Sequence, residues 1–249
     1  MSAGLIVALD TDDLKFAEQL VESLSPLVKI FKVGSQLFTT AGPDILQRIQ
    51  QKGAEVFLDL KFHDIPNTVS HAVAAACRYN PLMLTVHALG ASQMLAAAAE
   101  ARNHSGARTK ILGITILTSL DKSQLEEIGL TSSVNEEVIC LAQMAKAAGL
   151  DGIVASPQET SVLRPIVGEE FIIVTPGIRP KGPMQVVRRT PHPSNHPEQR
   201  RRDDQRRTMS AQEAVCAGAD YLVVGRPITQ SPDPLAAAQQ IIEEINGAR

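Results

Sequence analysis

Short apolar runs recur along this chain, and their pattern restricts the fold more than any other feature. Eight can be read off, at residues 5–10, 30–34, 56–60, 82–88, 111–117, 152–155, 171–176 and 221–225. Each is continuous instead of alternating, as a strand buried on both faces of a parallel sheet must be. Parallel neighbours need a long crossover. Ala- and Leu-rich segments with helical spacing supply it, among them 16–24, 44–52, 69–78, 92–101, 136–148 and 211–217. Gly53, Gly149 and Gly218 each fit the position just past a helix end. No Gly-x-Gly-x-x-Gly follows the first run, which weighs against a dinucleotide fold. Length alone allows one barrel or two smaller domains. Eight β–α units favour the former, so the expectation is an α/β protein, a single (β/α)8 TIM barrel over residues 1–249.

Composition bounds the function. With 44% hydrophobic residues there is ample material for a core, and a net charge of −3 implies no general attraction to nucleic acid or membrane. The cysteines, Cys77, Cys140 and Cys216, are odd in number and widely spaced, which fits reduced thiols better than a disulfide framework or a zinc site. No run approaches the ~18 apolar residues of a membrane span, and Met1-Ser2-Ala3-Gly4 does not open a signal peptide. A cytoplasmic protein is expected.

Charges stand where the strands should end. The third run continues as Asp59-Leu60-Lys61-Phe62-His63-Asp64-Ile65-Pro66, the proline placed to open a helix. On an extended strand Asp59 and Lys61 share a face. His63 is read as turned away from Lys61. Asp10 ends the first run, and Lys32 lies within the second, where an unpaired charge is costly. In a barrel these strands are neighbours, so two ammonium groups and at least two carboxylates are expected to converge at the carboxyl-terminal rim, where such barrels keep their active sites. Flanking carboxylates favour the ammonium form of Lys61. A Schiff-base lysine needs the opposite, so Lys61 reads as a fixed cation and proton donor. His87, at the end of the fourth run, reads equally as a pocket residue or a hydrogen-bonded core histidine. No cluster has convincing metal spacing.

The seventh and eighth runs end in Thr175-Pro176-Gly177-Ile178-Arg179 and Val224-Gly225-Arg226-Pro227. The loops after these two strands are the usual phosphate site of the fold, and arginine forks match phosphate oxygens. Between them, about 179–207, lies a Pro- and Arg-rich stretch without apolar periodicity, too long for an ordinary connector and so either functional or partly disordered. Its Arg188, Arg189, Arg200, Arg201 and Arg202 read mostly as a solvated loop; the alternative is an electrostatic funnel for a phosphorylated ligand. It holds no Phe, Tyr or Trp to stack a base, so nucleic acid is not an expected partner.

Taken together these motifs closely resemble orotidine 5′-phosphate decarboxylases of the bacterial type. The resemblance runs through Val7-Ala8-Leu9-Asp10, Phe31-Lys32-Val33-Gly34, the segment Asp59 to Val69, Ile116-Leu117-Thr118-Ser119, Thr175 to Arg179, Asp203-Asp204-Gln205-Arg206 and Val224 to Ile228. It implies decarboxylation of orotidine 5′-phosphate to uridine 5′-phosphate without metal or organic cofactor. It further implies Lys61 as proton donor, Asp59 beside the substrate carboxylate, and Lys32 completing the charge chain and contacting the ribose, with Asp10 on a ribose hydroxyl. Thr118, or Ser119 beside it, would contact the pyrimidine. Arg179, Gln205, Gly225 and Arg226 would hold the phosphate. Asp64 and Thr68 would enter the site of the neighbouring subunit in a homodimer. The stretch between Arg179 and Gln205 departs from the family by its length.

Overall fold

The computed structural model describes residues 3–180 and 207–248. Strands β1 (Gly4–Ala8), β2 (Ile30–Gly34), β3 (Glu55–Phe62), β4 (Met83–His87), β5 (Lys110–Ile114), β6 (Gly152–Val154), β7 (Ile172–Thr175) and β8 (Tyr221–Val224) pair in sequence order, and β8 returns to β1. Every pairing is parallel. The crossovers hold α1 (Leu14–Leu24), α2 (Ser35–Ala41), α3 (Asp44–Gln51), α4 (Pro66–Cys77), α5 (Ala91–Ser105), α6 (Lys122–Glu127), α7 (Val134–Ala147), α8 (Pro157–Val167), α9 (Ala211–Cys216), α10 (Arg226–Thr229) and α11 (Pro234–Asn246). The result is a closed (β/α)8 barrel, the fold class expected from the eight runs. Among the described residues no helix is long and apolar enough to cross a membrane.

Local signals set most helix ends. Pro66 occupies the first turn of α4, where its missing N–H costs nothing. Gly53, Gly149 and Gly218 follow α3, α7 and α9 with φ of 74°, 82° and 101°, a region that an L side chain enters only with strain. Ser133, Ser156 and Ser210 open α7, α8 and α9 with reciprocal capping boxes to Glu136, Glu159 and Glu213.

The core has two layers. Inside the barrel pack Ile6, Ala8, Ile30, Phe57, Met83, Leu112, Val174 and Val223. Between barrel and helices packs a larger layer that includes Val7, Phe31, Val33, Val56, Leu58, Leu84 and Val86. Two residues past the inner Ile30, Phe57 and Met83, on the same inward face, stand Lys32, Asp59 and Thr85. Three neighbouring strands therefore carry an apolar floor and polar groups directly above it.

Every strand but β2 differs in its bounds from the sequence reading. β1 stops at Ala8, β5 at Ile114 and β4 spans only Met83–His87, so Asp10 and Thr118 lie in loops beyond their strands. β3 runs on through Phe62, because the pairing with β4 shifts register between Leu58 and Phe62 and the strand continues past an irregularity.

The opposite rim is tied by two equivalent fasteners. Before β6, Asp151 accepts from the Ile111 amide at 2.9 Å and from Arg102 of α5 at 2.6 Å. Before β8, Asp220 accepts from the Ile173 amide at 2.7 Å and from Arg164 of α8 at 2.6 Å. Arg164 also donates to the carbonyls of Gly168, Phe171 and Gly218. One guanidinium thus satisfies carbonyls that would otherwise be buried without a partner.

Candidate active site

At the carboxyl-terminal rim the charges alternate. The Lys32 ammonium lies 2.9 Å from Asp10 Oδ1 and 3.5 Å from Asp59 Oδ2. Lys61 Nζ donates to the same Asp59 oxygen at 2.8 Å. Exposure divides the roles: the side chains of Lys32 and Asp59 are 12% and 11% exposed, whereas Lys61 is 37% and Asp10 58% exposed. Lys32 and Asp59 form a buried hinge. The Lys61 ammonium and the Asp10 carboxylate are the members most open to a ligand.

Pairing overcomes burial at both hinge residues. Burial alone would push the Asp59 carboxyl up, but Lys32 and Lys61, with bonds from Lys61 and Thr85, hold it below the ordinary carboxylate value. Burial alone would pull Lys32 down, yet Asp59 and Asp10 hold it above the ordinary lysine value. Both are charged at neutral pH.

Thr85 completes the array and was not singled out in the sequence. Fully buried on β4, its hydroxyl donates to Asp59 Oδ1 at 3.0 Å and accepts from the Lys61 amide at 2.9 Å. The second bond matters because Lys61 has φ of 53°, a left-handed conformation costing about 1–3 kcal/mol in a non-glycine residue unless its surroundings fix it. A threonine in an apolar strand is an ordinary β-former, so nothing in the sequence distinguishes it.

His63 follows β3 directly beyond this irregularity, and its ring stacks on His87 with centroids 5.2 Å apart. His87 Nδ1 accepts from the Leu89 amide. Burial, with His63 and Lys61 nearby, lowers the His87 pKa to about 4, so it is a neutral ring beside the cation at working pH.

The remaining candidates surround this centre. Gly225 follows β8, and a Cβ built on it would come 3.6 Å from Asp10 Oδ2, so its backbone closely adjoins the array. Arg226 opens α10 immediately after it. Arg179 follows β7, the neighbour of β8, with its amide donating to Met209 O at 3.0 Å. Thr118 is buried in the loop after β5. Asp64 and Thr68 are exposed at the start of α4, with Ile65 between them 66% exposed and Asp64 Oδ1 accepting from the adjacent Ile65 amide. Gln205 and the arginines at 188, 189, 200, 201 and 202 lie outside the described residues. Among the described residues no group of three or more His, Cys, Asp or Glu stands where it could hold a metal ion.

Known proteins resemble this chain over nearly its whole length. The family model described as "Orotidine 5′-phosphate decarboxylase / HUMPS family" matches residues 3–241. An orotidine 5′-phosphate decarboxylase of Syntrophotalea carbinolica is 48% identical, covering 98% of this chain and 95% of its own. One of Moorella thermoacetica is 47% identical, covering 97% and 91%. The crystal structure of orotidine 5′-phosphate decarboxylase from Lactobacillus acidophilus matches with a TM-score of 0.79 at 37% identity, covering 98% of this chain and 99% of that one.

Two outcomes are expected. Thr85→Val keeps the side-chain shape but leaves Asp59 Oδ1 and the Lys61 amide without their partner; it should cost about 2 kcal/mol, read as a fall in Tm that Thr85→Ser largely avoids. Equal Tm in the valine variant and wild type would contradict the bridging role. The second concerns pH. A carboxyl with a lowered folded pKa stabilises above its unfolded value, and loses that contribution as pH falls through the folded one. The destabilisation caused by Asp59→Asn should therefore be full near neutrality and shrink in strong acid. Lys32, shifted upward, should lose its contribution only in alkali beyond the ordinary lysine range. Melting curves across pH check both, and a penalty for Asp59→Asn that grows on acidification would overturn the assignment.

Proposed function

This chain belongs to the orotidine 5′-phosphate decarboxylase / HUMPS family, and we propose from that premise that it converts orotidine 5′-phosphate to uridine 5′-phosphate and CO2, a step of de novo pyrimidine biosynthesis. The observation that carries this reading is the Lys61 ammonium, a third exposed and fastened at 2.8 Å to a buried carboxylate. Loss of CO2 from C6 leaves an electron pair in the ring plane, where the π system cannot spread it. Electrostatics must then lower the barrier. A cation already oriented does so without reorganising at the moment of reaction. Lys61 stabilises the carbanion at C6 and then delivers its proton there, so the site needs neither a metal nor an organic cofactor.

The other residues hold the substrate in place. Asp59 anchors Lys61 and stands beside the departing carboxylate. Lys32 and Asp10 receive ribose hydroxyls, and Thr118, or Ser119 next to it, meets the pyrimidine. Gly225, Arg226 and Arg179 take the phosphate, with Gln205. Binding energy from that remote group serves the chemical step by fixing C6 against Lys61. The whole chain acts as one barrel domain, its stretch at about 179–207 a long connector, in a cytoplasmic enzyme. It works as a homodimer in which Asp64 and Thr68 reach the neighbouring site. The exposure of both residues, and of Ile65 between them, supports this placement.

Absorbance at the orotate band follows substrate loss directly. Lys61→Ala should reduce turnover by more than about a thousandfold while uridine 5′-phosphate still binds within about tenfold of wild type. A chelator should leave the wild-type rate unchanged. Retained turnover in the variant would refute the proton-donor role, and loss of wild-type activity on chelation would refute the cofactor-free reading. The intersubunit arrangement has its own check. Lys61→Ala and Asp64→Asn homodimers, each impaired, should regain activity on subunit exchange, because a mixed dimer contains one site with both native residues. Absence of any recovery in verified mixed dimers would place Asp64 in its own subunit's site.

A further inference from the structure

A second buried ion pair lies on this rim, apart from the charge array. Glu159, in the first turn of α8, is fixed through both carboxylate oxygens. Oε2 accepts from the Ser156 amide at 3.0 Å within the capping box, and Oε1 accepts from Arg207 Nη1. Ser156 is fully buried, and the Glu159 and Arg207 side chains are only 4% and 13% exposed.

The other arm of the guanidinium reaches the loop after β5. Arg207 Nη2 donates to Leu117 O at 3.0 Å and to Ile116 O at 3.5 Å. These carbonyls lie beyond the end of β5, whose last sheet-like contact is the Thr115 amide on Val154 O at 3.2 Å. Thr118 follows directly and is buried. On its other side Arg207 is two residues from Met209, which bridges Ile178 and accepts from the Arg179 amide. One side chain thus joins α8, the β5 loop and the segment beside the end of β7.

Stability alone explains this arrangement poorly. Burial pushes the Glu159 carboxyl above its ordinary value, and Arg207 with the Ser156 bonds works against that push. A buried pair of this kind compensates its own desolvation and leaves little surplus. In addition, Arg207 Nε is buried with no acceptor among the described residues. What the pair does supply is direction: a rigid planar fork, aimed by a carboxylate that is itself immobilised.

We propose that Arg207, aimed by Glu159, is a positioning residue that sets Thr118 against the pyrimidine by fixing the two carbonyls immediately before it. The inference rests on the nucleotide reading of the site given above. Misplacing a contact by an ångström can cost up to about a hundredfold in rate, so the effect falls on recognition of the base and not on the phosphate alone.

Wild type, Arg207→Met, Arg207→Lys and Glu159→Gln are compared by calorimetric titration with uridine 5′-phosphate and with ribose 5-phosphate, which has no base. Arg207→Met and Glu159→Gln should weaken the nucleotide about tenfold and ribose 5-phosphate by less than about twofold, with Arg207→Lys in between. The specificity constant kcat/KM should fall in the same order. Equal weakening of both ligands, or of neither, would overturn the proposal. Should Arg207→Met not fold, the two conservative variants decide it. A wild type that binds uridine 5′-phosphate but does not decarboxylate would defeat the functional reading and leave the positioning result standing. One that binds no nucleotide would defeat both.

Discussion

Mutual neutralisation of two ammonium groups and two carboxylates is the interaction on which the catalytic rim depends. Lys32 and Asp59 are nearly buried, and either charge alone in that setting would be expelled or neutralised. Each is tolerated because the other is beside it, with Asp10 and Lys61 closing the series at the solvent side. The pKa directions express the same balance: burial opposes both charges, and the partners win at both residues. The outermost cation is therefore delivered to the mouth of the barrel already oriented.

The two ends of the barrel divide these tasks. At the amino-terminal rim, Arg102–Asp151 and Arg164–Asp220 bind strand ends to helices. At the carboxyl-terminal rim the polar side chains turn toward one another around an opening. Both sets are charged and similarly short in contact distance, so charge alone does not mark a functional site. The difference is what each carboxylate holds: Asp151 and Asp220 accept from strand amides, whereas Asp59 accepts from two ammonium groups and a hydroxyl.

The barrel itself was legible because its signal is physical and repeated. Continuous apolar runs, spaced by helical segments and closed by glycines such as Gly53 and Gly149, leave few alternatives. The positions of Asp10, Lys32, Asp59 and Lys61 were legible for a related reason, since charges at the ends of buried strands have to meet. Other features were hidden. Thr85 looks like any β-branched strand residue, and its value lies in two bonds to residues more than twenty positions away. The stacking of His63 on His87 was hidden because it joins the ends of two strands far apart in sequence. Arg207 was one arginine among many until its buried partner Glu159 was visible.

The left-handed backbone at Lys61 has a consequence for how the protein comes together. Local preference disfavours that conformation, and its amide finds its acceptor only when β4 has docked beside β3. Asp59, likewise, acquires its second cation only with β2 in place. A partly assembled sheet would carry misfit charges and an unmatched N–H at its growing edge, which penalises intermediates and favours cooperative closure. The reactive centre is accordingly a property of the finished cylinder, absent from any fragment of it.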